Sequence, residues 1–132
     1  MPSLRVSRIV LDSSAVLALM DEEPGSEHVR EVLELASIST VNLAEVFSKL
    51  EERGSTGRAA VRRLAGLMHS VEPFTAEQAE IAGALRTLTR SLGLSLGDRA
   101  CLALTIWLEA EAYTADRVWA ELDLGCRIRV IR

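Results

Sequence analysis

Ile9-Val10-Leu11 carries three large apolar residues, two of them β-branched, directly into the carboxylate of Asp12 and the hydroxyls of Ser13 and Ser14. So short a continuous apolar run reads as a strand buried on both faces, the kind found inside a parallel sheet. Ser13 or Ser14 can cap a following helix over 15–20, which is apolar almost all round. Asp12 then sits at the carboxyl end of a central strand, where open α/β sheets place their chemistry.

The remaining segments alternate in the same way. The Pro24-Gly25 pair marks a turn, and a helix is expected over 26–36. A short strand over 37–39 leads to a helix over 41–53, with Thr40 as its cap and Gly54 as its end. A helix over 57–69 follows, then a weak strand over 71–74 whose Pro73 assigns it to an edge or an early end. Thr75-Ala76-Glu77-Gln78 opens a helix to about residue 91, and Ser95-Leu96-Gly97-Asp98 opens the most buried helix, uncharged over 100–108. A strand over 112–114 ends near Asp116, a helical turn spans 117–121, and 127–131 alternates like a strand with one wet face. Strands alternating with helices imply βαβ units and a mostly parallel sheet.

Parallel order makes a geometric prediction about the acids. If every strand climbs, each crossover helix descends. Asp12 and Asp116 end strands, and Glu45 and Asp98 lie early in helices, so all four carboxylates belong to the upper edge. The same parity forces the helix over 75–91 to run upward from a strand that also ends upward. Each acid also has a plain structural use. Asp12 and Asp116 can cap the turns that follow them, Glu45 can pair with Lys49 or answer Asn42, and Asp98 can answer Ser95 in a capping box. Four such coincidences at one edge of a small protein are far less expected than one. Clustered carboxylates repel and raise one another's pKa, and a hard divalent cation removes that cost. Oxygen ligands point to Mg²⁺ or Mn²⁺, and the chemistry implied is metal-assisted hydrolysis of a phosphodiester.

Composition narrows the alternatives. The 132 residues fit a single domain over 1–132, and 48% apolar content is ordinary for a globular fold. No internal repeat or low-complexity stretch is present, and no uncharged run is long enough to span a bilayer. Asp12 interrupts the first apolar stretch, so there is no secretory pattern and a cytoplasmic location is expected. The net charge of −4 argues against non-specific coating of nucleic acid. All fifteen basic residues but Lys49 are arginine, which suits bidentate phosphate contacts but equally reflects codon composition. Cys101 and Cys126 lack metal-ligand spacing, and Cys101 reads as a buried structural thiol.

Four segments together resemble a PIN-domain protein, and specifically a VapC-type toxin ribonuclease. They are Val10-Leu11-Asp12-Ser13-Ser14-Ala15-Val16-Leu17-Ala18, Ser39-Thr40-Val41-Asn42-Leu43-Ala44-Glu45-Val46, Leu94-Ser95-Leu96-Gly97-Asp98-Arg99-Ala100-Cys101-Leu102-Ala103-Leu104 and Tyr113-Thr114-Ala115-Asp116-Arg117-Val118-Trp119. The resemblance implies a three-layer α/β/α PIN-like fold and Mg²⁺-dependent endoribonuclease activity on RNA. It also implies a VapB-like antitoxin that binds the toxin and blocks its site, and a homodimer. On this resemblance Asp12, Glu45, Asp98 and Asp116 form the catalytic quartet. Asp12 and Asp98 are direct metal ligands, Asp116 binds the metal directly or through water, and Glu45 positions the attacking water. Ser13 and Thr114 buttress the acids with their hydroxyls, and Asn42 touches substrate. The antitoxin would lie in an apolar groove between the first two helices and residues 41–67, with Leu17, Met20 and Phe47 as candidates.

Three rivals share parts of this pattern. A haloacid-dehalogenase-like phosphatase also begins with an apolar strand and an aspartate, but its second acid, two residues on, is Ser14 here. A receiver domain would want adjacent acids after the first strand and a phosphoacceptor near mid-chain. A non-catalytic module could keep the PIN fold without turnover.

Overall fold

The computed structural model describes residues 8–54 and 57–132. Five strands form one parallel sheet in the order β3-β2-β1-β4-β5: β1 (Ile9–Leu11), β2 (Ala36–Ser39), β3 (Ser70–Glu72), β4 (Glu111–Thr114) and β5 (Arg127–Val130). The helices are α1 (Ser13–Met20), α2 (Ser26–Val32), α3 (Thr40–Glu52), α4 (Arg58–Leu67), α5 (Ala76–Leu88) and α6 (Leu96–Trp107). The fold class is therefore the expected three-layer α/β/α arrangement. Among the described residues no helix is long and apolar enough to cross a membrane.

β1 lies at the centre because it has no polar face. Ile9 and Leu11 join a core built with α1 to α4, whereas Val10 joins one built with α5 and α6 on the other side. Alternate side chains thus feed opposite layers, as the pleat requires. Val10 and Leu11 are wholly buried, each contributing about 1.5–3 kcal/mol. β3 is the edge strand beside β2, where Pro73 ends it.

The observed elements differ from expectation by a few residues at several boundaries, and most at the start of β2 and at the caps of α1 and α3. The helix expected over 26–36 stops at Val32, a 3-10 turn covers Leu33–Leu35, and β2 starts at Ala36. All four small or apolar β2 residues are buried, so sheet burial overrides the helical spacing of Leu33 and Ala36. Asp12 itself, not Ser13 or Ser14, is the N-cap of α1, accepting from Ala15 N at 2.8 Å. Ser39, not Thr40, caps α3; the Thr40 hydroxyl instead accepts from Phe74 N.

α5 and α6 form an antiparallel hairpin turned through Gly93, whose φ of 63° suits glycine. Across it Arg99 Nη1 donates to Ala82 O at 2.9 Å. α5 therefore climbs and α6 descends, so the first turn of α6 stands at the same sheet edge as the ends of β1 and β4.

Candidate active site

Asp12 is the buried centre of this edge. The oxygen Oδ1 accepts from Ala15 N, the Ser14 hydroxyl donates to both carboxylate oxygens at 2.7 and 2.9 Å, and Thr114 Oγ1 donates to Oδ2 at 2.5 Å. The two hydroxyls are themselves anchored by the chain after β4: Ser14 Oγ accepts from Ala115 N at 2.9 Å and Thr114 Oγ1 from Asp116 N at 3.0 Å. A short relay thus joins the carboxyl ends of β1 and β4. Burial pushes the Asp12 carboxyl up to about 6 against the usual 3.8. The Thr114, Ala15 and Ser14 hydrogen bonds oppose that rise, and the nearby Asp98 charge adds to it.

The other acids frame Asp12 with increasing exposure. Glu45 and Asp98 are half-buried and Asp116 is exposed. Asp98 Oδ2 accepts from Ser95 N at 3.0 Å, completing the capping box of α6. Asp116 Oδ1 accepts from Val118 N at 3.0 Å and caps the 3-10 turn Arg117–Glu121. The plain uses foreseen for Asp12, Asp98 and Asp116 are all realised, yet each is compatible with a second task. A carboxylate offers about four acceptor sites. Asp98 and Asp116 each spend one on a cap. Asp12 receives three protons, from Ala15 N, Ser14 and Thr114, and the Ser14 proton is shared between its two oxygens.

Glu45 approaches from α3. Asn42 Nδ2 donates to Glu45 Oε1 at 2.9 Å and to Gly97 O at 3.0 Å, so the first turns of α3 and α6 are stitched together beside Asp98. Lys49, the other partner expected for Glu45, pairs with Glu52 instead.

Two site assignments change. The hydroxyl that holds Asp12 beside Thr114 is that of Ser14, not Ser13. Ser13 instead lines a groove of about 460 Å³ between α1 and α3, with Leu17, Val41, Glu45 and Lys49. Asn42 is only 1% exposed, which removes the reading that it touches substrate. Of the residues expected in an apolar antitoxin groove, Leu17 lines this one, and Met20 and Phe47 pack against the core. Cys101 is fully buried, and burial pushes its thiol well up, as a structural role requires.

Among the described residues no three acidic, histidine or cysteine side chains stand close enough together to enclose a metal ion. Magnesium does not require such a cage. It takes one or two carboxylates and completes its octahedron with water and substrate phosphate. The facing groups are oxygen donors, and Asp12 and Asp98 lie close enough for the charge of one to raise the pKa of the other. The donor set fits a hard divalent cation.

The family model described as the PIN domain matches residues 9–124. No curated protein matches the chain by sequence. Several solved structures share the fold. DNA-bound VapBC from Salmonella typhimurium matches with a TM-score of 0.75 at 17% identity, covering 94% of this chain and 98% of that one. VapC20 of Mycobacterium tuberculosis, described as a sarcin-ricin-loop-cleaving toxin, gives 0.67 at 21% identity, with coverage of 90% and 98%. VapBC-5 of the same organism gives 0.67 at 22% identity, with 96% and 99% covered. At these identities the likeness is one of fold.

Proposed function

We propose, because the chain belongs to the PIN domain family, that it is a Mg²⁺-dependent endoribonuclease and the toxin of a VapBC-type toxin–antitoxin pair. The observation that carries this reading is the arrival of Asp98 beside the buried, hydroxyl-braced Asp12, with Glu45 and Asp116 on the same edge. Asp12 and Asp98 would hold the cation, with Asp116 acting directly or through a water. Bound Mg²⁺ (Mn²⁺ as a substitute) would polarise the scissile phosphoryl group and lower the pKa of a coordinated water. Glu45, half-buried and facing the groove, orients the attacking water and accepts its proton. The relay through Ser14 and Thr114 keeps Asp12 fixed, so the geometry is organised before substrate arrives.

The partners follow from the same reading. RNA enters along the exposed side of the acids, and a VapB-like antitoxin covers that approach; solved relatives of this fold are toxin–antitoxin complexes. The toxin acts as a homodimer in the cytoplasm. Purified protein incubated with RNA and Mg²⁺ should cleave it, EDTA should stop the cleavage, and Asp98→Asn should abolish it. Cleavage that persists in EDTA, or that is equal in the variant, would refute the metal mechanism. Co-expression with a neighbouring short reading frame followed by pull-down tests the partner. A chain that stays alone and harmless to growth would count against the toxin role.

A further inference from the structure

Asn42 and Gly97 have no task in the chemistry described above, yet both touch Glu45. Both protons of the Asn42 amide are spent, one on Glu45 Oε1 and one on Gly97 O, while its buried oxygen has no hydrogen-bond partner among the described residues. The orientation is forced. Turning the amide over would set its oxygen against the Glu45 carboxylate and the Gly97 carbonyl, three acceptors without a proton between them. An aspartate of the same shape would fail for the same reason.

Gly97 supplies the other half. It lies in the first turn of α6, where glycine costs helix stability relative to alanine. A Cβ there would collide with the carboxyl group of Glu45, whereas one at Gly66 or Gly83, the other helical glycines, would meet nothing. The absent methyl is the seat of the Glu45 carboxylate.

From this geometry we infer that Asn42 and Gly97 are positioning residues, a latch between α3 and α6 that holds Glu45 at its working place beside Asp98. The inference deepens the nuclease reading and rests on it. The atom that a methyl at Gly97 would strike is the far end of a flexible side chain, so the backbone need not move. Gly97→Ala should therefore fold with an unchanged or raised melting temperature and displace only the Glu45 carboxylate.

The test is a double-mutant cycle with RNA and Mg²⁺. Asn42→Ala and Gly97→Ala should each lower kcat tenfold or more and leave KM within twofold, and Gly83→Ala should match the wild type. In a Glu45→Gln background either substitution should change kcat less than twofold, because the group it positions is already disabled. Calorimetric Mn²⁺ affinity should stay within threefold in both single variants. Full multiplicative losses in the Glu45→Gln background, or wild-type turnover by Gly97→Ala, would overturn the latch. Should wild-type protein fail to cleave RNA, the nuclease reading falls, and crystal structures of the variants still decide the latch. A displaced Glu45 carboxylate in both supports it, and an unmoved one refutes it.

Discussion

Asp12 and Thr114 stand 102 residues apart in sequence and are joined by a 2.5 Å hydrogen bond from hydroxyl to carboxylate. The bond ties the neighbouring strands β1 and β4 together at their carboxyl ends, and it does so on a carboxylate that the fold has taken almost entirely out of water. Desolvation of the charge outweighs the three hydrogen bonds that favour it, and the pKa rises to about 6. The site is thus built against the stability of its own protein.

A pH dependence follows. Between 3.8 and about 6 the folded chain keeps a proton on Asp12 that the unfolded chain has released. Folding gains from this group at low pH, and the gain is lost as pH rises through that window. The gap corresponds to roughly 3 kcal/mol once pH exceeds 6. Metal-free Asp12→Asn, which keeps the Ala15 cap and carries no charge, should therefore be more stable than the wild type by about 2–3 kcal/mol at pH 7.5 and equal to it near pH 3.5. Urea denaturation at both pH values with EDTA present checks this. A variant less stable at pH 7.5 would show that the hydrogen bonds, not desolvation, dominate at Asp12.

Thr114 both donates to Asp12 and accepts from Asp116 N, so Thr114→Val strips one buried and one part-buried bond at once. We expect a loss of about 1–3 kcal/mol for the groups left unpaired. The Thr114 bond also lowers the Asp12 pKa, so its removal raises that pKa further and protons compete more strongly with a cation at neutral pH. Mn²⁺ affinity of Thr114→Val, measured by calorimetry, should be weak at pH 6.5 and recover towards pH 8.5. Thr114→Ser should behave as the wild type throughout.

The adjacent serines provide a finer test. Ser14→Ala removes the proton shared by both oxygens of Asp12 and the acceptor of Ala115 N, and should cost about 1–2 kcal/mol. Ser13→Ala should leave stability within about 0.5 kcal/mol, since Ser13 lines the groove beside Glu45 while Ser14 and Thr114 hold Asp12. Any effect of Ser13→Ala should appear in KM for RNA. Equal melting temperatures for the two variants would contradict the relay.

What could be read from the chain divides along physical lines. A run such as Ile9-Val10-Leu11 has one low-energy place, inside a sheet covered on both faces, and that place with parallel order puts Asp12, Glu45, Asp98 and Asp116 at one edge. The choice between Ser13 and Ser14 was not legible in this way, because it depends on a 100° difference in helical phase that identical side chains do not encode. The choice of cap between Asp12 and the serines that follow it, and between Ser39 and Thr40, stays open in the sequence for a similar reason: in strings of polar residues several oxygens can reach the same N–H. The substrate contact expected of Asn42 rests on the family resemblance alone, and nothing in its local sequence encodes the burial that the fold imposes on it. One signal did point to its role: Gly97 is a poor helix former inside a good capping box, with no turn to explain it, which marks a close approach by something else.

Asp98 allows the roles of fold and chemistry to be separated cleanly. In Asp98→Asn the amide oxygen can still accept from Ser95 N, so the capping box and the start of α6 survive, and without metal the variant should melt close to the wild type. It loses the charge that would face a cation beside Asp12. Saturating Mg²⁺ stabilises any folded protein that binds it by RT ln(1 + [L]/Kd), about 2.7 kcal/mol at one hundred times Kd. For a domain of this size that raises the melting temperature by roughly 10 °C. The wild type should show that rise at pH 7.5 and lose it in EDTA, and Asp98→Asn should show little or none. An equal Mg²⁺-dependent rise in both proteins would place the cation elsewhere and separate Asp98 from the metal centre.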